Sequence, residues 1–131
     1  MTQRMHPLIA DYAARHGIVA PEPFRGRMTV VVDEIYRIHL QETQAGQCAL
    51  LSRLASMPPA GGDRDAWLLT MGRLAVATLS SLPAACVIDS RETALWLQQI
   101  VTAGGGDAVD EAMGQFVNAL SFWTGALRRL A

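Results

Sequence analysis

The chain lacks lysine, and it has few charged and few aromatic residues for its length. Charged residues make up 18% of its 131 residues and aromatic residues 6%, whereas hydrophobic residues make up 50%. The 11 basic residues are all arginines, and against 12 acidic residues they leave a net charge of -1, with no basic footprint for nucleic acid. The composition argues against nucleic-acid binding, and its surplus of apolar residues favours association with another chain.

The sequence also lacks a long apolar run. No stretch approaches the roughly 20 residues of a membrane-spanning helix, and Asp11 and Arg15 interrupt the N-terminal segment where a signal peptide would have its apolar core. We therefore expect a cytoplasmic protein without a membrane span, folded as a single domain over residues 1–131. The two cysteines, Cys48 and Cys86, lie in apolar, strand-like surroundings and are expected to be buried thiols.

The spacing of apolar residues predicts three consecutive strands near the N-terminal third of the chain. A first amphipathic helix over residues 2–16 ends at Gly17, and the Pro21-Glu22-Pro23 stretch forbids its continuation. Alternation over residues 28–40 predicts two strands with a tight turn at Asp33-Glu34, and a longer break at residues 41–47 precedes a third strand over 48–54. This three-strand meander carries apolar residues on both faces.

The rest of the chain predicts a helix, a second hairpin and a last helix. The second helix covers residues 66–79 with Asp63 or Asp65 as its cap, and strands 85–89 and 93–101 follow. The last helix begins after the Gly104-Gly105-Gly106 run, with Asp107 and Asp110 as a capping arrangement, and reaches about Arg129. The fold class is α+β in the order α-β-β-β-α-β-β-α: a small twisted antiparallel sheet packed with three helices. Helices two and three are expected to cover one face, leaving the other face and an edge near helix one.

Clusters that could carry chemistry are absent from the sequence. No two of His6, His16 and His39 have the i, i+4 spacing of zinc ligands, and the glycine run lacks the Lys-Ser/Thr of a phosphate loop. We expect no metal, no cofactor and no catalytic residue. One alternative is a small thiol-dependent α+β enzyme that pairs His39 with Cys48, and another is an interaction domain for a folded partner.

Five segments carry a resemblance that spans essentially the whole chain. They are TVVVDEIYRIHL, CALLSRLASMPP, WLLTMGRLAVATL, ACVIDSRETALWLQQIV and FVNALSFWTGALRRL. In this order they resemble the class I effector chaperones of bacterial type III secretion, the Tir chaperone family. The resemblance implies a homodimer built through the second helix, which holds the N-terminal segment of an effector in extended form without hydrolysing nucleotide. It implies the secretion ATPase as a further partner. Members of that family are often strongly acidic, whereas this chain is nearly neutral.

Two groups of residues follow as candidate sites. The nearly uncharged second helix supplies the expected dimer interface, formed by Leu68, Met71, Leu74, Ala75 and Leu79. The first helix and the first two strands supply the expected client-binding residues, which are Met5, Leu8, Ile9, Tyr12, Val30, Val32, Tyr36 and Ile38. Trp96 shares a strand face with Ala94, Gln98 and Ile100, and it is a further client-contact candidate because aromatic side chains often anchor interfaces.

Overall fold

The protein folds as one five-stranded sheet with three helices, and the order of elements is the predicted one. A computed structural model describes residues 6–18, 27–43, 46–78, 81, 84–89, 91, 93–101 and 107–130. The elements are α1 (Pro7–Arg15), β1 (Arg27–Val32), β2 (Tyr36–Glu42), β3 (Cys48–Ser56), α2 (Gly62–Thr78), β4 (Ala85–Ile88), β5 (Ala94–Val101) and α3 (Ala108–Leu130). The predicted glycine run at residues 104–106 lies outside the described residues.

The five strands form a single antiparallel sheet in the order β1-β2-β3-β5-β4. The predicted meander and the second hairpin are joined by pairing of β3 with β5, from Cys48 opposite Val101 to Ser56 opposite Ala94. The register shifts between Arg53 and Ala55, which marks a bulge in β3. Strands β1 and β4 are the two edges of the sheet within the described part of the chain.

The turn between β1 and β2 confirms the predicted Asp33-Glu34 turn. Both residues have positive φ, 54° at Asp33 and 62° at Glu34, and the amide of Ile35 donates to the carbonyl of Val32 over 3.2 Å. Two successive left-handed residues match the twist of a hairpin, but this conformation costs energy for residues that have a Cβ.

Strands β2 and β3 pair over only part of their lengths. Their ladder runs from Glu42 opposite Cys48 to His39 opposite Leu51 and ends there. Beyond that point residues 36–38 remain paired with β1, and residues 52–56 remain paired with β5. The sheet therefore forks between β2 and β3.

Helix α1 begins and ends with local signals. His6 is its N-cap, with the imidazole accepting a hydrogen bond from the amide of Leu8, and Pro7 occupies the first turn. Gly17 follows with φ +63°, and the amide of Ile18 donates to the carbonyl of Ala13 over 2.9 Å. A left-handed glycine with this backward bond is a common way for a helix to end.

The core lies on one face of the sheet, beneath α1 and α3. Helix α3 contacts β3, β5 and α1, and α2 contributes Met71 to the same buried cluster, as expected of these two helices. Helix α1 adds Ile9, Tyr12 and Ala13 to this cluster, so the expectation that it lies near the other face is wrong. Long-range packing decides this arrangement, because α1 and α3 each carry an apolar stripe that one shared core can bury. The largest fully buried side chains are Trp123, Phe116, Ile9, Ile38, Leu40, Leu50, Leu97, Leu120 and Cys48.

Helix α2 begins one turn earlier than predicted. It starts at Gly62, so Asp63 and Asp65 lie inside the first turn rather than before the helix, where they still favour the positive end of the helix dipole. Its fully buried residue is Met71, and Trp67 and Leu74 are partly buried against the core. The described helices include none that is both long enough and apolar enough to cross a membrane.

Candidate functional site

The sheet separates the two residues of the predicted thiol–imidazole pair. Directly opposed residues of an antiparallel pair share a face, so His39 lies on the face of Leu51, whereas Cys48 lies on the alternate face with Leu50. Cys48 is fully buried in the core, and burial raises the pKa of its thiol to about 11. The thiol-enzyme alternative is therefore wrong, since the thiol is protonated at neutral pH and has no access to His39.

The second thiol offers no better nucleophile. Cys86 is partly buried, and burial likewise raises its pKa to about 11. Both cysteines are free, and within the described ranges no group of three His, Cys, Asp or Glu side chains could hold a metal ion. The surfaces of the molecule, rather than a reactive cluster, are the candidates for function.

The first candidate surface comprises the outer edge of β1 and the partly buried side chain of α1 that packs against the same core. Leu8 of α1, Val30 and Val32 of β1 and Tyr36 of β2 are each partly buried and pack against the core, so each keeps some surface for a ligand. Ile9 and Ile38 are fully buried and Tyr12 is 7% exposed, which makes these three predicted client-binding residues part of the core of this subunit. Met5 lies outside the described residues.

Helix α1 is fastened at both ends. At its C-terminal end two side chains contact the Asp110 carboxylate of α3: His16 Nε2 lies 2.5 Å from Oδ1, and an Arg15 guanidinium nitrogen lies 2.7 Å from Oδ2. The ring of Tyr12 lies 4.3 Å from that of His16, and burial, with a smaller effect of Asp110, raises the pKa of Tyr12. At its N-terminal end His6 Nε2 lies 2.9 Å from the Gly46 carbonyl. Asp110, in the first turn of α3, thus ties α3 to α1.

Two exposed apolar residues of the hairpin escaped the prediction. Val31 is 60% exposed and Ile35 is 72% exposed. Val31 alternates with Val30 and Val32 and so points to the opposite face, while Ile35 sits in the turn. The unbroken Val30-Val31-Val32 run is the signal that could have identified an edge strand with apolar residues on both faces.

The second candidate surface is the sheet face opposite the core, which carries Trp96. Trp96 is partly buried there opposite Arg53 and Val87, as its predicted alternation with Leu95 and Leu97 requires. A cavity of about 320 Å³ opens beside it, lined by residues of the strands and their ends. The face is chemically mixed, because Gln41 accepts hydrogen bonds from Arg27, and Thr29 lies 2.7 Å from the His39 ring.

His39 is the one histidine of this face, and its protonation is disfavoured. Its ring lies 5.9 Å from that of Trp96. Burial, followed by the positive charges of Arg27 and Arg37, lowers the pKa of His39 below the ordinary imidazole value of 6.5. The imidazole is therefore neutral at physiological pH, and on this face it acts as a hydrogen-bonding group.

The third candidate surface is the outward side of α2. Leu69 and Val76 are 58% and 69% exposed, and their seven-residue spacing places both on the same side of the helix. Of the predicted dimer residues, Met71 is buried in the subunit's own core, whereas Leu68, Leu74 and Ala75 are partly exposed. Leu79 lies outside the described residues. Leu69 and Val76 were not among the predicted interface residues. The sequence signal for them is their seven-residue spacing on the side of α2 opposite Met71 and Leu74, which face the core.

Comparison by sequence identifies no relative: no protein-family model matches the chain, and no curated protein matches it. Comparison of folds is informative. A chain of the HopA1–SchA chaperone–effector complex superposes with a TM-score of 0.66 at 13% identity, covering 90% of this chain and 91% of the other. This chain has the fold of type III secretion chaperones.

Other chaperones of this fold match over similar lengths. The heterodimeric ExoU–SpcU complex from the type III secretion system of Pseudomonas aeruginosa gives a TM-score of 0.60 at 13% identity, over 87% of this chain and 93% of the other. The Yersinia pestis type III secretion chaperone SycH, in complex with a stable fragment of YscM2, gives 0.57 at 17% identity, over 90% and 98%. The chaperone fold thus accounts for nearly the whole chain.

Proposed function

We propose that this protein is a bacterial cytoplasmic chaperone of a type III secretion system, working as a homodimer. It binds the N-terminal segment of a secreted effector in extended form and keeps that effector soluble and competent for secretion. The observation that carries the proposal is the outer edge of β1, which has no partner strand among the described residues, together with the partly buried apolar side chains of Leu8, Val30, Val32 and Tyr36. The chaperone fold supports it.

An open strand edge beside apolar side chains suits an extended polypeptide. The client's backbone hydrogen-bonds to β1 as an added strand, and every second client side chain packs against the apolar positions next to α1. Ordering a flexible client costs free energy, so one strand of contacts is not enough and a wrapped path over a larger surface is needed. Ile9, Tyr12 and Ile38 support this surface from beneath, as the packed layer that holds Leu8 and Tyr36 in place.

The outward side of α2 supports the homodimer. Helix α2 has apolar residues on both its inner and its outer sides, and the outer pair, Leu69 and Val76, is left without cover in a single subunit. In a two-fold symmetric dimer this patch of one subunit contacts the same patch of the other, so Leu69 and Val76 of both subunits become buried. Leu68 flanks this patch, whereas Leu74 and Ala75 pack toward the core with Met71, which anchors the helix to its own subunit.

Substitution of Leu8 tests the client surface at a residue that is only partly buried. Leu8→Gln should reduce capture of a co-expressed secreted partner encoded beside this gene by at least about tenfold, because loss of one well-packed apolar contact costs about 1.4 kcal/mol or more. Ala14→Gln is the matched control, since Ala14 is exposed on the same helix. Ile9 is unsuitable for this test because a polar residue at a fully buried position would unfold the protein.

Three outcomes separate the possibilities. Loss of capture in Leu8→Gln with normal capture in Ala14→Gln supports the client site. Equal capture by both variants places the client elsewhere, and the face around Trp96 is then the next surface to vary. Capture of a folded partner domain instead of an N-terminal segment contradicts the chaperone function and favours an interaction domain.

A further inference from the structure

The fork between β2 and β3 opens into a groove. Residues 36–38 of β2 and residues 52–56 of β3 face each other without pairing, and the C-terminal half of α3 closes one side. The resulting cavity, here called the fork groove, has a volume of about 550 Å³. Ser52 Oγ donates a hydrogen bond to the Arg37 carbonyl over 2.8 Å at its closed end, where the ladder stops.

The fork groove is basic, although the protein as a whole is slightly acidic. Arg37, Arg53 and Arg128 line it from three different elements, and His39 lies beside them. No carboxylate is among the described residues that line it, even though acidic residues outnumber basic ones in the chain. A positive groove without internal counter-charges is an attractive site for a negatively charged ligand.

The rest of the lining is suited to a peptide. Leu54 and Tyr36, both partly buried, provide apolar surface, and the almost fully buried Leu120 lies behind them as part of the core. Ser121 and Thr124 of α3 add hydroxyl groups. Arginine fits carboxylates with paired, parallel hydrogen bonds, while strand edges accept an extended backbone and apolar surface accepts alternate side chains. A simple inorganic anion would use only the first of these three features.

We propose that the fork groove binds an acidic, extended segment of a partner polypeptide. Arg37 and Arg53 hold its carboxylates, and its apolar side chains pack on Leu54 and Tyr36. The inference rests on the proposed function only in naming the secreted client as the natural source of that segment. Recognition by charge here complements the apolar β1 edge, where the described strand contains one arginine, Arg27.

Fluorescence anisotropy with a defined probe tests the proposal. The probe is a short labelled peptide that alternates Glu with Val, and its matched control alternates Gln with Val. We expect the Glu peptide to bind at least about tenfold more tightly, and Arg37→Gln combined with Arg53→Gln to remove this preference, because arginine forms charge-assisted hydrogen bonds with a carboxylate that a neutral amide does not offer. Binding should weaken as salt is raised.

Control variants separate charge recognition from folding. Arg73→Gln removes the same charge from the exposed surface of α2, outside the groove, and should leave binding unchanged. Arg128→Gln removes a groove charge from α3 without changing either strand. It should weaken binding of the Glu peptide, and it can be measured even if the combined Arg37→Gln and Arg53→Gln variant folds poorly.

Specific outcomes would overturn the proposal. Equal binding of the Glu and Gln peptides, binding of neither, or complete displacement of the Glu peptide by millimolar inorganic phosphate would each do so, the last by identifying a simple anion site. Binding of the probe through these arginines, without capture of any secreted partner, would retain this inference and contradict the proposed function. Capture of a secreted partner by a protein that ignores the probe would refute this inference alone.

Discussion

Ser52 Oγ donates a hydrogen bond to the backbone carbonyl of Arg37 over 2.8 Å, where β2 and β3 stop pairing. Ser52 is 5% exposed, so most of its side chain is shielded from solvent at the closed end of the fork groove. Ser52→Ala should lower the free energy of unfolding by about 1–2 kcal/mol, because it leaves the carbonyl without its donor. Urea denaturation measures this, with Ser56→Ala as a control that removes only a solvent-exposed hydrogen bond, the one from Arg53. Unchanged stability in Ser52→Ala would show that the fork does not depend on this bond.

The β1–β2 turn should be easy to stabilise. Glu34 has φ 62°, a left-handed conformation that glycine adopts freely and glutamate does not. Glu34→Gly should raise the free energy of unfolding by roughly 0.5–1 kcal/mol, the relief of strain exceeding the entropy that glycine adds to the unfolded chain. Glu42→Gly is the opposite control, because glycine at an exposed position within β2 should destabilise the strand. A loss of stability in Glu34→Gly would argue against the left-handed turn.

His39 makes stability depend on pH. Its pKa is lowered in the folded protein, so the unfolded chain binds a proton more readily. The contribution of neutral His39 to stability is fully present above the ordinary value of 6.5, and it is lost as pH falls through the lowered pKa of the folded protein. The free energy of unfolding should therefore fall less in His39→Gln than in the wild type between about pH 8 and about pH 5. If the free energy of unfolding fell equally with pH in the wild type and in His39→Gln, this assignment of the pH dependence to His39 would be contradicted.

The outward side of α2 should control the oligomeric state. Leu69→Arg or Val76→Arg should weaken the dimer by at least about 100-fold, because each substitution places a charge on both sides of a symmetric interface. Both residues are exposed in the single subunit, so the variants should keep their helical content by circular dichroism. Sedimentation velocity measures the association, and Ala14→Arg on the exposed side of α1 is the control. A wild-type protein that sediments as a monomer at micromolar concentration would contradict the dimer.

Local patterns were enough to predict the elements, but not how they pack. The order of the eight elements, the Asp33-Glu34 turn and the helix stop at Gly17 follow from alternation, helical spacing and glycine geometry, and the structure confirms them. The placement of α1 and α3 on the same face depends on contacts between distant segments, which periodicity does not encode. The start of α2 at Gly62 escaped prediction because a glycine is an unfavourable helix residue by propensity alone.

The candidate surfaces were predictable to different degrees. An apolar stripe cannot by itself distinguish side chains that fill the core from those that remain partly exposed, so Ile9 and Ile38 were grouped with Leu8 and Val30. The fork groove was not predictable at all. It arises because pairing of β2 with β3 stops at His39 and Leu51, and its arginines come from segments far apart in sequence.

The central claim is that this protein holds an effector segment in extended form. Limited proteolysis of the complex with its co-expressed secreted partner, followed by mass spectrometry, measures this directly. We predict one protected fragment from the N-terminal region of the partner, which is protease-sensitive when it is purified alone. Protection of a compact domain that resists protease without this protein, or protection of no fragment, would contradict the claim.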